Sequence, residues 1–118
     1  DLIENSEEKK KLLLDAVNYR RFDVFKILYL SVINKDHVEP DNNKLFLTAA
    51  SNGHITILQF LAPYLTEDRF EIFDEIGNSV LNLAASYGDL ENFQYIISLH
   101  PSISQLNHRN VYGILFIN

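Results

Sequence analysis

A pair of alanines, a two-residue spacer and a glycine, followed by an amphipathic run, occur twice in this chain at the same offsets. "LTAASNGHITILQFLA" (residues 47–62) carries Ala49, Ala50 and Gly53, and "LNLAASYGDLENFQYII" (residues 81–97) carries Ala84, Ala85 and Gly88. Glycine inside a helix costs about 1 kcal/mol relative to alanine, and small residues weaken a core unless something must approach closely. The spacing between the alanine pairs is 35 residues. An upstream copy, "LLLDAVNYRRFDVFKILYL", puts Ala16-Val17 at the alanine positions, 33 residues before Ala49, and Arg20 at the glycine position. Phe22, Val24, Phe25, Ile27 and Leu28 follow it as the amphipathic run. A fourth copy opens at "NVYGILFIN", where Gly113 stands 36 residues after Gly77. A period of this size means one supersecondary unit stacked on copies of itself.

Each unit divides into two short helices. In the third copy the pattern predicts a first helix from about Ser79 to Ser86, ended by Gly88 in a left-handed turn. A second helix is predicted from about Leu90 to Leu99, with Phe93, Ile96 and Ile97 on one face. Helices this short are unstable alone, so each unit must bury its apolar faces against its neighbours. The alanines allow close packing of the first helices, and both Ala84 and Ala85 are expected to be buried. The glycine permits the tight reversal.

"DEIGNSVLNLAASYGDLENFQYII" (residues 74–97) resembles the ankyrin repeat. Asp74, Gly77, Leu81, Leu83, Ala84, Ala85, Gly88 and Leu90 match that consensus, and Ser79 stands for its threonine. In the second copy Ala49, Ala50, Gly53, His54 and Ile55 match. The resemblance implies an all-α fold, a solenoid of stacked helix-turn-helix units. It divides the chain into an N-terminal capping repeat at about 1–38, a second repeat at 39–73, a third at 74–109 and the start of a fourth at 110–118.

Departures from the family pattern shape further expectations. The Thr-Pro-Leu-His stretch is replaced by Lys44-Leu45-Phe46-Leu47 and by Ser79-Val80-Leu81-Asn82, which reduces the hydrogen bonding that normally stitches repeats together. The Gly-Ala-Asp-Val-Asn loop is replaced by "LTEDRFEIF" and "HPSISQLN". Thr66 is expected as an N-cap and Pro101 at a first helical position, giving an extra helical turn in place of a hairpin finger. At the start of the chain, Asn5 and Glu8 resemble a capping box. Lys9, Lys10 and Lys11 are expected to form the polar coat that a terminal repeat needs.

Composition bounds the function. A chain of 118 residues, 47% hydrophobic and 22% charged, suits one packed domain. The net charge of −6 argues against a nucleic-acid partner, which requires a basic face. No apolar run approaches the roughly 18 residues of a membrane span, and neither a secretory signal before the fold nor a membrane partner is expected. Absence of cysteine removes disulfides and thiolate metal sites and is compatible with a cytoplasmic location.

Catalysis finds no support in the residues. His37, His54, His100 and His108 are scattered, with no helical pair to begin a metal site, and His54 reads as a structural histidine. Glu67, Asp68, Glu71, Asp74 and Glu75 form an acidic cluster, which reads as a solvated loop rather than an acid/base pair, since such a pair needs a cleft. Phosphate-binding glycine loops and nucleophile elbows are absent. We expect no enzyme activity, no cofactor and no metal.

Protein binding remains. The resemblance implies a concave face lined by variable positions of the first helices and loop tips. These are Tyr19, preceded by Asn18, in the first copy, and Asn43, Ser51 and Asn52 in the second. In the third they are Glu75, Ile76, Asn78, Ser86 and Tyr87, and in the fourth Tyr112, flanked by Val111 and Ile114. Tyrosine supplies amphipathic contact area at low entropic cost; alternatively Tyr19 and Tyr87 pack against the next repeat.

The resulting expectation is a protein-interaction module. The alternative is a targeting or scaffold segment of a larger enzyme or pathogen effector, acting in the host cytoplasm, since abundant Asn, Ile, Lys and Tyr are associated with AT-rich genomes. A chain that starts at Asp1 and ends just after Ile114-Leu115-Phe116-Ile117 is expected to be part of something longer. Self-association through that apolar C-terminal edge is a further alternative.

Overall fold

The reversals inside the three units share one backbone feature. Arg20, Gly53 and Gly88 occupy equivalent positions and all take left-handed conformations, with φ of 58°, 67° and 82°. In the computed structural model, which describes residues 6–110, each reversal joins two antiparallel helices. The pairs are α1 (Ser6–Asn18) with α2 (Phe22–Asn34), α3 (Asn42–Ser51) with α4 (Ile55–Leu61), and α5 (Val80–Tyr87) with α6 (Leu90–Ile97). A 3-10 turn (Ala62–Tyr64) continues α4, and a short α7 (Ile103–Leu106) follows α6. Among the described residues there is no β-strand. The architecture is the all-α stack of helix pairs.

Local chemistry fixes the helix ends. Ser79 caps α5 instead of starting it: its hydroxyl accepts from the Asn82 N–H at 3.3 Å, and the Asn82 side-chain oxygen accepts from the Ser79 N–H at 2.8 Å. Asp41 and Asp89 cap α3 and α6 by accepting from the Lys44 and Asn92 N–H groups, both at 3.2 Å. Such caps satisfy donors that have no partner within the helix. Gly88 closes α5, its N–H reaching the Ala84 carbonyl. α6 ends at Ile97, so Leu99 lies beyond it.

The first helices form one row, with α3 against both α1 and α5. Ala16, Ala49, Ala50 and Ala84 are buried where the helices meet, and small side chains permit short interaxial distances. Ala85 differs from the expectation. It is only partly buried, whereas Ala50, its equivalent in the second unit, is fully buried.

The second helices are bridged by large rings instead. Phe60 of α4 meets Phe22, Phe25 and Tyr29 of α2 with centroids 5.9, 6.0 and 5.4 Å apart, all nearly edge-to-face. This arrangement complements the ring quadrupoles. Tyr29 also meets Tyr64 at 5.0 Å. Its hydroxyl, fully buried, donates to the Asn42 side-chain oxygen, and the Asn42 amide donates to the Tyr64 carbonyl at 3.3 Å. Burial first, then the neighbouring Tyr64, pushes the Tyr29 hydroxyl far above its ordinary pKa. It stays a neutral donor.

Several expectations at the surface change. Ile27 is 71% exposed, and Val24 also faces outward, because the aromatic cluster draws α2 inward along its Phe25–Tyr29–Val32 line. Lys9 is buried and pairs with Asp36 at the far end of α2. Its alkyl stem packs while the ammonium is satisfied, which leaves Lys10 and Lys11 to coat α1. The loop at residues 65–73 holds no helical turn; a 3-10 turn around Pro63 precedes it, and Thr66 caps nothing. The extra turn expected in the other loop occurs as α7, capped by Ser102 with Gln105, which leaves Pro101 outside the helix. The Asn5–Glu8 capping box and the apolar stretch at residues 114–117 lie outside the described residues.

Ala84 is fully buried and Ala85 is not, so the two should respond differently to enlargement. Ala84→Leu is expected to cost about 1–3 kcal/mol by overpacking, and Ala85→Leu clearly less. Denaturant melts of both variants check this ordering.

Candidate binding face

The polar side chains at the helix reversals connect the three units. The Asn52 amide donates to the Asn18 side-chain oxygen at 3.1 Å. The Arg20 guanidinium donates to the Asn52 carbonyl and, at 3.3 Å, to the Tyr87 hydroxyl. Left-handed backbone costs an ordinary L-residue roughly 1–2 kcal/mol, and at Arg20 these bonds offset that strain. The Tyr87 ring lies directly over Gly53, where an added Cβ would sit 2.2 Å from the ring edge. Gly53 is therefore needed twice, for its φ and for its missing side chain. At Gly88 the same position faces open space among the described residues.

Asn18, Asn52 and Tyr87 thus make contacts within the stack, although Tyr87 remains 45% exposed. Tyr19 is 77% exposed. Ser86 is exposed, as is Ser51, whose hydroxyl donates to the Thr48 carbonyl at 2.9 Å. His54, buried beneath the reversal, holds its proton less tightly than an ordinary histidine. Burial is the main cause, followed by the Arg20 charge, and both outweigh favourable contacts with backbone carbonyls.

At the opposite end of the helices, the loops are tied to each other. Asp74 organises a tight turn, its carboxylate accepting from the N–H groups of Ile76 (3.0 Å) and Asn78 (2.8 Å) and from the Asn78 amide (3.1 Å). Asn110 donates to the Asn78 side-chain oxygen at 3.1 Å. His108 stacks on Phe73 and donates to the Gly77 carbonyl at 2.7 Å. Asn43 donates to Glu67 at 3.0 Å, and the Gln105 amide donates to both Asp68 (3.1 Å) and Glu71 (2.9 Å). The acidic cluster therefore holds the loops together, with Phe70 and Ile72 buried beneath it. Asn43 and Asn78 serve this framework, Glu75 stays exposed, and Tyr112 lies outside the described residues.

Two grooves open between the first helices and these loops. One, of about 360 Å³, lies between α1 and the start of α3, with Lys10, Lys11 and Leu14 facing Pro40, Asp41 and Lys44. The other, of about 350 Å³, is bounded by Lys44, Leu47 and Thr48 of α3 and by Phe73, Glu75 and Ile76 of the loop. They are repeat-related: Lys11 and Leu14 correspond to Lys44 and Leu47, 33 residues on. Lys44, Leu47 and Phe73 were not singled out as candidate contacts from the sequence, although the 33-residue period would have placed the first two beside Lys11 and Leu14.

No group of three or more metal-ligating side chains occurs among the described residues. No helix among them is long and apolar enough to cross a membrane.

The family model for ankyrin repeats, in three copies, matches residues 7–109. The chain belongs to the ankyrin-repeat family. No curated protein matches it. Ankyrin repeats are generally protein–protein interaction modules and typically non-catalytic. In this ankyrin stack the Ser79–Asn82 box closes on itself within one repeat. Links between repeats come instead from Arg20, Asn52 and Asn42 and from the loop contacts.

Two measurements address the reversals. Gly53→Ala should cost about 1–2 kcal/mol from backbone strain alone, and more while the Tyr87 ring is present. Denaturant melts of Gly53→Ala, Tyr87→Ala and the double variant separate the two effects. An identical Gly53→Ala cost with and without the ring would contradict the close approach.

The second concerns pH. Because the folded His54 pKa is depressed below its unfolded value of about 6.5, the unfolded chain binds the additional proton in the window between the two. Stability from neutral His54 is present above that window and is lost as pH falls through it. Between about pH 7.5 and pH 5, wild type should lose more stability than His54→Gln. Equal losses in melts at the two pH values would count against this origin.

Proposed function

We propose that this ankyrin-repeat protein holds a partner protein against the concave face, formed by α1, α3, α5 and the loop before α5. The observation that carries the reading is the pair of open, repeat-related grooves, the second of them edged by half-exposed Phe73 and Ile76 (43% and 38%). Exposed apolar groups set among polar ones are the ordinary composition of an interaction surface. Tyr19, Glu75, Ser86 and the open side of Tyr87 supply further exposed groups along the same helices and loop. Because the Tyr87 ring also covers Gly53, removing it would disturb the stack as well as any interface.

The test is a titration with a partner captured by the full chain and then purified. Thr48→Arg places a bulky charge in the second groove and should weaken binding by about 1–3 kcal/mol, the range typical of a central interface residue. Gln94→Ala, on the exposed side of α6, should leave binding intact. Thermal melts confirm that both variants fold. The opposite pattern, with binding lost in Gln94→Ala and kept in Thr48→Arg, would overturn the concave-face reading.

A further inference from the structure

The two grooves share a wall, made by Asp41 and Lys44, yet they differ in chemistry. The α1–α3 groove is bordered by Lys10, Lys11 and Lys44 in a chain whose net charge is −6. Two carboxylates also border it, and both are occupied. Glu7 lies 3.6 Å from Lys10, and Asp41 accepts from the Lys44 backbone N–H. Lys11 and Lys44 have no ion pair among the described residues. The second groove is floored by Leu47 and edged by Phe73 and Ile76, with the Asp74 carboxylate turned inward to its own loop. A cationic compartment thus stands beside an apolar one.

From this juxtaposition we infer that the concave face recognises an extended peptide segment of its partner carrying an acidic side chain followed or preceded by a large apolar one. The inference rests on the concave-face reading and adds the partner's chemistry. Charge complementarity selects the occupant: a carboxylate meets Lys11 and Lys44, while a leucine- or phenylalanine-sized group covers Leu47 and Ile76. The spacing follows from geometry. Neighbouring helices pack about 10 Å apart and an extended chain advances about 3.3 Å per residue. The acidic and apolar residues should therefore be about three positions apart. Nucleic acid is a poorer match, because the chain carries a net charge of −6 and the second groove offers apolar groups rather than cations to a phosphate backbone.

Short fluorescein-labelled peptides test this by anisotropy against the full chain, with one glutamate and one leucine separated by differing numbers of neutral residues. Binding should be strongest near the three-position spacing and should weaken as salt is raised. The double variant Lys11→Glu/Lys44→Glu should weaken the best peptide roughly fivefold or more, and Ile76→Ser should weaken it independently. Amide shifts of the wild-type protein on adding the peptide should concentrate at Lys11, Lys44, Leu47 and Ile76, a readout that does not depend on any variant folding. Equal affinity for peptides lacking either residue, tighter binding of an oligonucleotide, or shifts centred on α6 would each overturn the assignment. If the purified partner loses affinity for Thr48→Arg while no acidic–apolar peptide binds, the peptide chemistry is wrong and the concave-face reading survives.

Discussion

Close approach of α3 to α1 on one side and to α5 on the other is the condition on which the remaining structure depends. Ala49 and Ala50 are fully buried between them, with Ala16 and Ala84 contributed by the neighbours. A helix pair of this length has too little apolar surface to be stable by itself, so the core exists only when pairs stack. The alanine row sets how near the first helices come. The second helices, bridged by Phe60 and Tyr29, fill their wider separation with rings. Small residues in one row and large ones in the other are two halves of a single packing solution.

That solution leaves both ends of every helix pair to be joined by polar groups. At the reversals the joints are Asn18, Arg20, Asn52 and Tyr87. At the loops they are Asn43, Gln105, His108 and Asn110. The surface between these ends, where the two grooves open, is left available. The division is physically sensible, since a face framed by fixed loops loses less conformational entropy when a partner is bound.

Periodicity and small residues were legible in the sequence because backbone requirements impose them. The Ala49–Ala84 register, the left-handed Gly88 and even the equivalence of Arg20 with a glycine could be read from spacing alone. Side-chain destinations could not. Lys9 looks like its solvated neighbours, and its ion pair with Asp36, 27 residues away, helps to make its burial tolerable. Asn52 and Tyr87 fall at variable positions of the repeat, yet each finds a partner in another unit. Thr66 has the chemistry of a cap, but the chain has already spent its extra turn at Pro63. For Lys9, Asn52 and Tyr87 the deciding contact is long-range, and no local pattern encodes it. The 33-residue period does pair Lys11 with Lys44, but the groove that they border forms only when α1 and α3 stack.

Stacked repeats are commonly treated as a one-dimensional chain in which each unit senses only the next. Arg20 departs from that description, because it belongs to the first unit and touches both the second, at Asn52, and the third, at Tyr87. A bond to the Tyr87 hydroxyl is modest, about 1 kcal/mol, but it joins units that are not adjacent. Fraying of the first unit would therefore loosen the third as well as the second. Cooperativity in this short array extends one unit further than nearest-neighbour contact alone would carry it.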